Sequence, residues 1–410
     1  MLIKQAFKYE LRPNNKQIGL LVRHAGVARF AWNWALARRI ELYKTKEGKE
    51  RYTSAITQHR ELNALKNTEF PWMYEVSKCA PQEALRDLDQ AYANMFRRIK
   101  NHDKKIGKPK FKKKGIHDSF TLTGAIKVAD NSIQLPRLGT IRTNEIASKL
   151  RGRILSATVS REANRWYCSL GVLCDRPDPQ PVVGEIVGID LGISCFGSVS
   201  NGIGIEELRS PKPLRKNIKK LRRYHRYLSR KQKDSQNRKK AQLRLARLYR
   251  RIKNIRREFL SYESTKLAKT KSVICVEDLN VSGMMQNHHL ARSIGDEGWG
   301  DFVRQLEYKS AWYGSRLLKI PRFEPTSKRC SACGVINQEL ELSDRQWVCK
   351  LCGVLHERDA NASHNIRSCG ISILHTESSS GINACGVGVR PTVLEATHDE
   401  AGNKHICYKR

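Results

Sequence analysis

The sequence predicts a multidomain α+β protein. We expect a small β-barrel that is split by a helical insertion, followed by an α/β domain that carries a basic helical hairpin and a ribbon of paired cysteines. Three observations support this prediction. The 410 residues suit about two to four domains. Blocks of alternating and of helical hydrophobic spacing follow one another along the chain. A formal charge of +36 requires surfaces that face a polyanion.

The charge narrows the choice of partner. With 76 Lys and Arg against 40 Asp and Glu, nucleic acid is the favoured partner and a membrane surface is the competing one. No stretch has the ~18 apolar residues of a spanning helix, no lipidation motif is present, and the first residues lack an apolar signal core. We therefore expect a cytoplasmic protein without a membrane partner, whose 12 cysteines stay reduced.

The N-terminal half alternates between strand and helix patterns. Residues 3–11 place apolar side chains on alternate positions, which predicts a half-buried strand, and residues 14–100 have helical spacing. Residues 119–175 return to strand patterns, in which 154–161 and 165–172 form a hairpin. The first strand and the later strands therefore predict one barrel with a helical insertion.

Residues 97–114 form a strongly basic segment. They hold ten Lys or Arg and one Asp, and Gly107 and Pro109 prevent a continuous helix. A solvated linker is the simpler interpretation. We favour a contact with backbone phosphates, because a linker needs no such excess of one sign.

A second basic region, residues 209–257, predicts a helical hairpin. It contains 22 Lys or Arg and one acid, Asp234. Two apolar seams at helical spacing are separated by a break at residues 233–237. Charged helices are often merely solvated, but their charges are then mixed in sign, so we favour a phosphate-facing surface.

Four cysteines have the spacing of a zinc ribbon: Cys330, Cys333, Cys349 and Cys352. Two CxxC pairs can hold one tetrahedral Zn²⁺, and four protein ligands make that ion structural rather than catalytic. The alternative to a zinc site is that four buried thiols have this spacing by chance. Beyond them, residues 371–410 are rich in Ser and Gly without periodicity, which predicts a disordered tail.

Three acids stand out by their positions. Asp190 and Glu277 each end an apolar strand pattern, and Asp359 opens a helical one. A carboxylate at the end of a buried strand is costly unless it is paired or binds a cation. If the three converge, they predict a site for two Mg²⁺ ions, which prefer oxygen ligands and hydrolyse phosphodiesters in pairs. Each acid alone could instead cap a turn, pair with a base or cap a helix.

Asp-Leu-Gly after a strand also occurs in the phosphate loop of actin-like ATPases. The sequence lacks the second Asp-x-Gly loop and the Gly-rich adenosine motif of those enzymes. The basic hairpin and the zinc ribbon would also have no role there, so we do not favour this alternative.

Several motifs together resemble the TnpB proteins of insertion sequences, over roughly residues 1–368. The motifs are GIDLGIS (188–194), VEDLN (276–280), the double CxxC ribbon, RDANASHNI (358–366), GDEGWGDFVRQLEYKSAWYG (295–314) and GKPKFKKK (107–114). TnpB proteins are RNA-guided DNA endonucleases with a RuvC-type, RNase H-like nuclease domain, and they are ancestral to type V CRISPR effectors.

The resemblance implies a catalytic triad of Asp190, Glu277 and Asp359 that binds two Mg²⁺ ions. It also implies domains. Their expected boundaries are 1–12 and 116–180 for a β-barrel wedge domain, 13–115 for a helical recognition domain, 181–325 and 354–370 for the RuvC-like nuclease domain, 208–268 for the basic hairpin within it, 326–353 for the zinc ribbon and 371–410 for the tail. The third motif departs from the family in two positions, because Glu357 stands where an Asp is common and Ser363 where an Ala is common.

The implied partners are a guide RNA from the end of the element and a DNA target, both double- and single-stranded, bound by a monomer in complex with RNA. A short motif beside the target would be read by Tyr52, Lys78 and Gln82, and the alternative for each of these residues is that it is simply solvated at the surface. Backbone contacts are expected from basic residues of the two positive regions, namely Lys110, Lys112, Lys113, Arg222 and Arg226. Two alternatives remain, a nuclease-independent repressor or transposition accessory factor and a DNA transposase.

Overall fold

The computed structural model describes residues 1–102, 106–341 and 343–379. The described chain forms two compact units, one comprising Met1–Arg176 and one that begins at Pro177. The predicted tail beyond residue 379, with Cys385, His398 and Cys407, lies outside the described residues. No helix in the described ranges combines the length and the apolar character that crossing a bilayer requires.

The first unit is built on a seven-stranded antiparallel sheet. Its strands are β1 (Leu2–Arg12), β2 (Ser119–Leu122), β3 (Lys127–Ala129), β4 (Ser132–Leu135), β5 (Gly139–Thr143), β6 (Arg153–Glu162) and β7 (Arg165–Asp175), in the order β2-β6-β7-β1-β5-β4-β3. The first strand thus lies inside the sheet, between β7 and β5, as the split arrangement predicted. The predicted hairpin is β6–β7, which turns at Ala163 with a φ of 57°.

Helices fill the insertion between β1 and β2. They are α1 (Asn15–Thr45), α2 (Ala55–Lys66) and α3 (Cys79–Lys100), with short 3-10 helices at Gly48–Arg51 and Pro71–Glu75. Asn14 and Gln17 form a capping box that starts α1, since each side chain bonds the backbone of the other. The buried residues of α1 include Leu21, Ala28 and Leu36, at the helical spacing that the sequence shows.

The basic segment after α3 lies in extended form against α1. The indole of Trp32 donates to the carbonyl of Lys110 at 3.0 Å. The Asn33 side chain exchanges two hydrogen bonds with the backbone of Lys112, at 2.9 and 2.7 Å. The Lys112 ammonium lies 4.0 Å from the centre of the Trp32 ring. The segment is therefore anchored through its backbone, which leaves the side chains of Lys110 and Lys113 exposed. Residues 103–105 lie outside the description.

The second unit contains a mixed five-stranded sheet and the remaining helices. Its strands are β8 (Ile186–Asp190), β9 (Gly197–Ser200), β10 (Ile205–Leu208), β11 (Val273–Glu277) and β12 (Arg316–Ile320), in the order β10-β9-β8-β11-β12. Its helices are α4 (Pro213–Ser229), α5 (Gln236–Thr270), α6 (Val281–Met284), α7 (Ala291–Glu297), α8 (Trp299–Tyr313) and α9 (Arg358–Ser379), and a small ladder joins β13 (Gln346–Val348) to β14 (Leu355–Glu357). β11 runs parallel to β8 and β12, whereas β9 and β10 are antiparallel.

The predicted basic hairpin is α4 and the first part of α5. Leu221 of α4 packs against Leu245, Leu248 and Ile252 of α5, so one apolar seam holds the two helices together. The Asp296 carboxylate fixes the base of the hairpin. It accepts hydrogen bonds from the first backbone N–H groups of α4 at 2.9 and 2.8 Å, where a negative charge is favourable.

Helix α9 lies unusually close to the sheet. A Cβ added to Gly188 of β8 would meet the carbonyl oxygen of Ser363 at 2.2 Å and the backbone nitrogen of Arg367 at 2.4 Å. A Cβ at Gly370 would meet the sulfur of Cys275 in β11 at 2.2 Å. Side chains at these glycines would therefore push the helix away from the two central strands.

The structure corrects the start of the predicted tail. Residues 371–379 continue α9 rather than forming disordered chain. Ile373 and Leu374 pack against a buried cluster beside β12, and Arg316 donates to Glu377 at 2.5 Å. These contacts join residues that are far apart in sequence, so the local composition did not reveal them.

We predict that Gly188→Ala destabilises the second unit by about 1–3 kcal/mol, because the added methyl overpacks a backbone contact. The matched control is Gly300→Ala, since Gly300 is exposed in α8 and its added Cβ meets nothing within 4 Å. Thermal unfolding should show a midpoint lower by about 2–4 °C per kcal/mol for Gly188→Ala alone. Equal midpoints for the two variants would contradict the close packing.

Candidate active site and zinc ribbon

The three predicted acids converge in the second unit. Asp190 and Glu277 are the last residues of β8 and β11, which pair in parallel, so both lie at the same edge of the sheet. Asp359 is in the first turn of α9. The loop after β8 reaches Asp359, because the hydroxyl of Ser194 donates to its Oδ2 at 3.2 Å.

The electrostatics of the cluster centre on Asp190. Burial raises the pKa of Asp190 to about 8, with further increases from the charges of Glu277 and Asp359 and a smaller opposing effect of Arg358. Within the described ranges, the Asp190 carboxylate accepts no hydrogen bond. A carboxylate in this position is poorly stabilised by the protein alone, and an oxygen-binding cation would stabilise its charged form.

Two contacts that sequence reasoning missed orient the other acids. The hydroxyl of Thr326 donates to Oε1 of Glu277 at 2.7 Å. The guanidinium of Arg345 lies 3.7 Å from Oδ1 of Asp359 and remains largely exposed. Both residues belong to the segment around the predicted ribbon. The only signal in the sequence is that Thr326 stands four residues before the first cysteine pair.

An open cleft of about 660 Å³ leads to this edge of the sheet. It extends from the loop after β8 to β13 of the ribbon. Its charged lining combines four basic side chains, Arg209, Lys212, Arg345 and Arg358, with three acids, Glu207, Glu357 and Asp359. Arg209 is paired with Glu207. The arginines beside Asp359 suit a phosphate-containing substrate.

The four predicted ribbon cysteines form a compact tetrad, with all sulfur atoms within 4.8 Å of one another. The Sγ atoms of Cys333 and Cys349 are 3.5 Å apart, and those of Cys330 and Cys352 are 3.6 Å apart. A tetrahedral ion with Zn–S bonds of ~2.3 Å places its sulfurs about 3.8 Å apart. The tetrad could therefore bind zinc. No set of three carboxylates in the described chain brings its oxygen atoms this close together.

The two cysteine knuckles have the same backbone design. Gly334 and Gly353 follow them with φ values of 81° and 71°. Their N–H groups return to the carbonyls of Cys330 and Cys349, both at 2.9 Å. A positive φ favours glycine, so these residues let each knuckle turn back on itself and bring its two cysteines together.

The predicted nucleic-acid residues lie at several places on the two units. In the first unit, Tyr52 is exposed after a 3-10 helix, Lys78 precedes α3, and Gln82 is half-buried one turn later. In the second, Arg222 and Arg226 are exposed one turn apart on α4. Neither arginine has a described contact with the acid cluster.

Family models match three stretches of the chain. They are a probable transposase of the OrfB IS605 type over residues 169–288, the Cas12f1-like TNB domain over residues 299–366 and a helix-turn-helix domain of OrfB IS605 proteins over residues 1–49. Two relatives resemble almost the whole chain. A "Putative RNA-guided DNA endonuclease" of Streptomyces pristinaespiralis is 35% identical over 95% of this chain and 92% of its own length. InsQ of Escherichia coli K12, with the same description, is 35% identical over 96% of this chain and 97% of its own.

The chain belongs to the TnpB family. The sequence prediction of that family is thereby confirmed. A solved Cas12f1–sgRNA–target DNA complex also has a similar fold, with a TM-score of 0.51 and 15% identity, over 86% of this TnpB-family chain and 82% of the Cas12f1 chain. At that identity the likeness concerns the fold alone. It agrees with the predicted α+β class.

We predict that the purified protein contains about one zinc per chain and that Cys333→Ser lowers this content, because a tetrad that loses one thiolate binds zinc far more weakly. Elemental analysis measures the zinc content per chain. Cys79→Ser is the control, since Cys79 lies in the first unit and bonds Thr123. Equal zinc in both variants would exclude the tetrad as the zinc site.

Proposed function

We propose that this TnpB-family protein is an RNA-guided DNA endonuclease whose Asp190, Glu277 and Asp359 bind two Mg²⁺ ions at the scissile phosphate. The observation that carries the proposal is the convergence of three carboxylates around Asp190, whose raised pKa reflects burial and repulsion that a cation would relieve. The adjoining cleft, whose lining includes Arg345 and Arg358, would admit a DNA strand. The names of the relatives support the guide dependence.

The residues of the chain would divide the work. The sheet edge would hold Asp190 and Glu277 at a fixed separation, and α9 would present Asp359 from the opposite side. Bound Mg²⁺ would activate the attacking water and stabilise the leaving oxygen. Ser194 and Thr326 would orient two of the acids, and Arg345 and Arg358 of the cleft would contact the phosphate backbone of the displaced strand.

The remaining surfaces are proposed to bind the RNA and the target duplex. In this proposal, the sheet of the first unit is the wedge domain, its helices are the recognition domain, and the basic hairpin grips the guide. The guide reads the target by base pairing, whereas Tyr52, Lys78 and Gln82 read the adjacent motif, as in other RNA-guided nucleases. The exposed arginines of α4 support the hairpin's role.

The activity test is guide-dependent cleavage of a plasmid library in Mg²⁺, after co-purification with the transcript from the element's end. We expect wild type to linearise targets beside one short motif. Asp359→Asn should lower the rate at least about 100-fold, because a carboxylate that holds the metal is worth several kcal/mol. DNA binding should persist, since the change leaves the basic surfaces intact.

The matched control for Asp359 is Glu357→Gln, the other acid of the same motif. Glu357 is exposed at the end of β14, and its carboxylate lies 3.5 Å from the side chain of Gln346. Glu357 also lines the cleft, but Glu357→Gln removes none of the three proposed metal ligands, so this variant should still cleave. If Glu357→Gln abolishes cutting and Asp359→Asn does not, the assignment within the motif is wrong. Binding without cutting by wild type would favour a repressor or accessory factor, and joined DNA products would favour a transposase.

A second prediction concerns the hairpin. Replacing Arg222 and Arg226 by Gln should weaken RNA binding. It should also reduce the slope of log K against the logarithm of the salt concentration by about one to two, because binding without these two phosphate contacts releases fewer counterions. Fluorescence anisotropy across a salt series measures this slope. The control replaces Lys266 and Lys319 by Gln in the same way. These two lysines form ion pairs with Glu206 and Glu307. A slope that changes equally in both would remove the hairpin from the interface.

A further inference from the structure

Thr326 is the described side chain that hydrogen-bonds the carboxylate of Glu277. Its hydroxyl donates to Oε1 at 2.7 Å, and Thr326 itself is 4% exposed. In the described chain no donor reaches Oε2 of Glu277. The contact therefore fixes one oxygen of the acid and leaves the other oxygen available to a cation.

The Thr326 hydroxyl is not needed for the local turn. The backbone N–H of Thr326 donates to the backbone carbonyl of Glu324 at 2.8 Å. The carbonyl of Thr326 accepts a hydrogen bond from the Asn365 side chain at 2.7 Å. The backbone of this residue is thus held by other groups. What the hydroxyl adds is the contact with Glu277, a side chain whose several rotatable bonds would otherwise allow many positions.

The segment that carries Thr326 is fastened between α9 and the cysteine tetrad. Asn365 also donates to the carbonyl of Arg329 at 2.7 Å, and so does Asn361, again at 2.7 Å. Asn361 in turn accepts from the backbone N–H of Ser331 at 2.9 Å. Arg329 and Ser331 flank Cys330, the first cysteine of the tetrad. A continuous series of contacts therefore links the zinc ribbon to Glu277.

We propose that Thr326 is a positioning residue for Glu277 and that the zinc-bound ribbon holds Thr326 in place. The inference rests on the proposed function, since it assigns Glu277 to a cation site. The ribbon then stabilises the geometry of the acid cluster in addition to its own fold. Loss of the hydroxyl, or of the zinc, would leave Glu277 free to rotate away from the cation.

The test compares Thr326→Val, which keeps the shape of the side chain without its hydroxyl, with Thr326→Ser, which keeps the hydroxyl. Mn²⁺ alone is the probe, and binding to the protein–RNA complex is measured by electron paramagnetic resonance. We expect about a 10- to 100-fold weaker Mn²⁺ affinity for the Val variant, the usual effect of losing a group that orients a metal ligand. The Ser variant should stay within about threefold of wild type.

Three further measurements make the result specific. Zinc content and the unfolding midpoint should be unchanged in Thr326→Val, and the half-saturating Mg²⁺ for cleavage should rise with the Mn²⁺ constant. Thr265→Val is the matched control, because the hydroxyl of Thr265 bonds a backbone carbonyl within α5 at 2.6 Å. Wild-type affinity in the Val variant, or equal loss in the Ser variant, would overturn the role of Thr326. A wild-type complex that neither binds Mn²⁺ nor cleaves would instead overturn the proposed function.

A double-mutant cycle tests the link to the ribbon. Cys333→Ser removes a zinc ligand and, if the ribbon acts through Thr326, should itself weaken Mn²⁺ binding. Adding Thr326→Val should then change the affinity by less than about threefold, because coupled residues are not additive. If the effects of the two substitutions on Mn²⁺ affinity are fully additive, the ribbon does not act on Glu277 through Thr326.

Discussion

The close packing of α9 against β8 and β11 is the constraint on which the rest of the second unit depends. Two glycines, Gly188 and Gly370, remove the side chains that would separate the helix from the strands. Because the strands end in Asp190 and Glu277 and Asp359 lies in the first turn of the helix, the depth of this packing sets the separation of the acids. The site is therefore defined by rigid elements, and the loop after β8 adds only the Ser194 contact.

The ribbon occupies the connection between β12 and α9, and it is attached at both of its ends. Where it begins, the carbonyl of Arg329 accepts from two asparagines of α9. Where it ends, the backbone N–H of Arg358 donates to the backbone carbonyl of Arg345 at 2.8 Å. At this point β14 leads directly into the helix. A segment with so small a core, formed by Leu340 and Trp347 with two of the cysteines, cannot hold these positions by hydrophobic burial alone. A zinc ion bound by the four cysteines would supply the missing free energy of folding.

How much the sequence predicts depends on the range of the interactions involved. Cysteine spacing and strand periodicity are local, so the tetrad, the positions of Asp190 and Glu277 at strand ends, and the basic hairpin follow from short windows. The partners Thr326 and Arg345 are 49 and 14 residues from the acids that they contact, and no local pattern marks them. The same reason explains the error at residue 371, where packing of Ile373 extends a helix through a segment of polar composition.

The distribution of partners among the three acids also has a physical consequence. Asp359 lies in a helical first turn, where the dipole favours a negative charge, and it contacts Ser194 and Arg345. Glu277 accepts a hydrogen bond from Thr326. Asp190 has no such partner among the described residues, and its pKa is raised by burial and further by repulsion from the other two acids. The electrostatic cost of gathering the charges is thus concentrated on the acid between two strands, where the backbone ladder keeps it from moving away. A bound cation would relieve the repulsion at this carboxylate, whereas Thr326 and Ser194 each hold one oxygen of the other two acids.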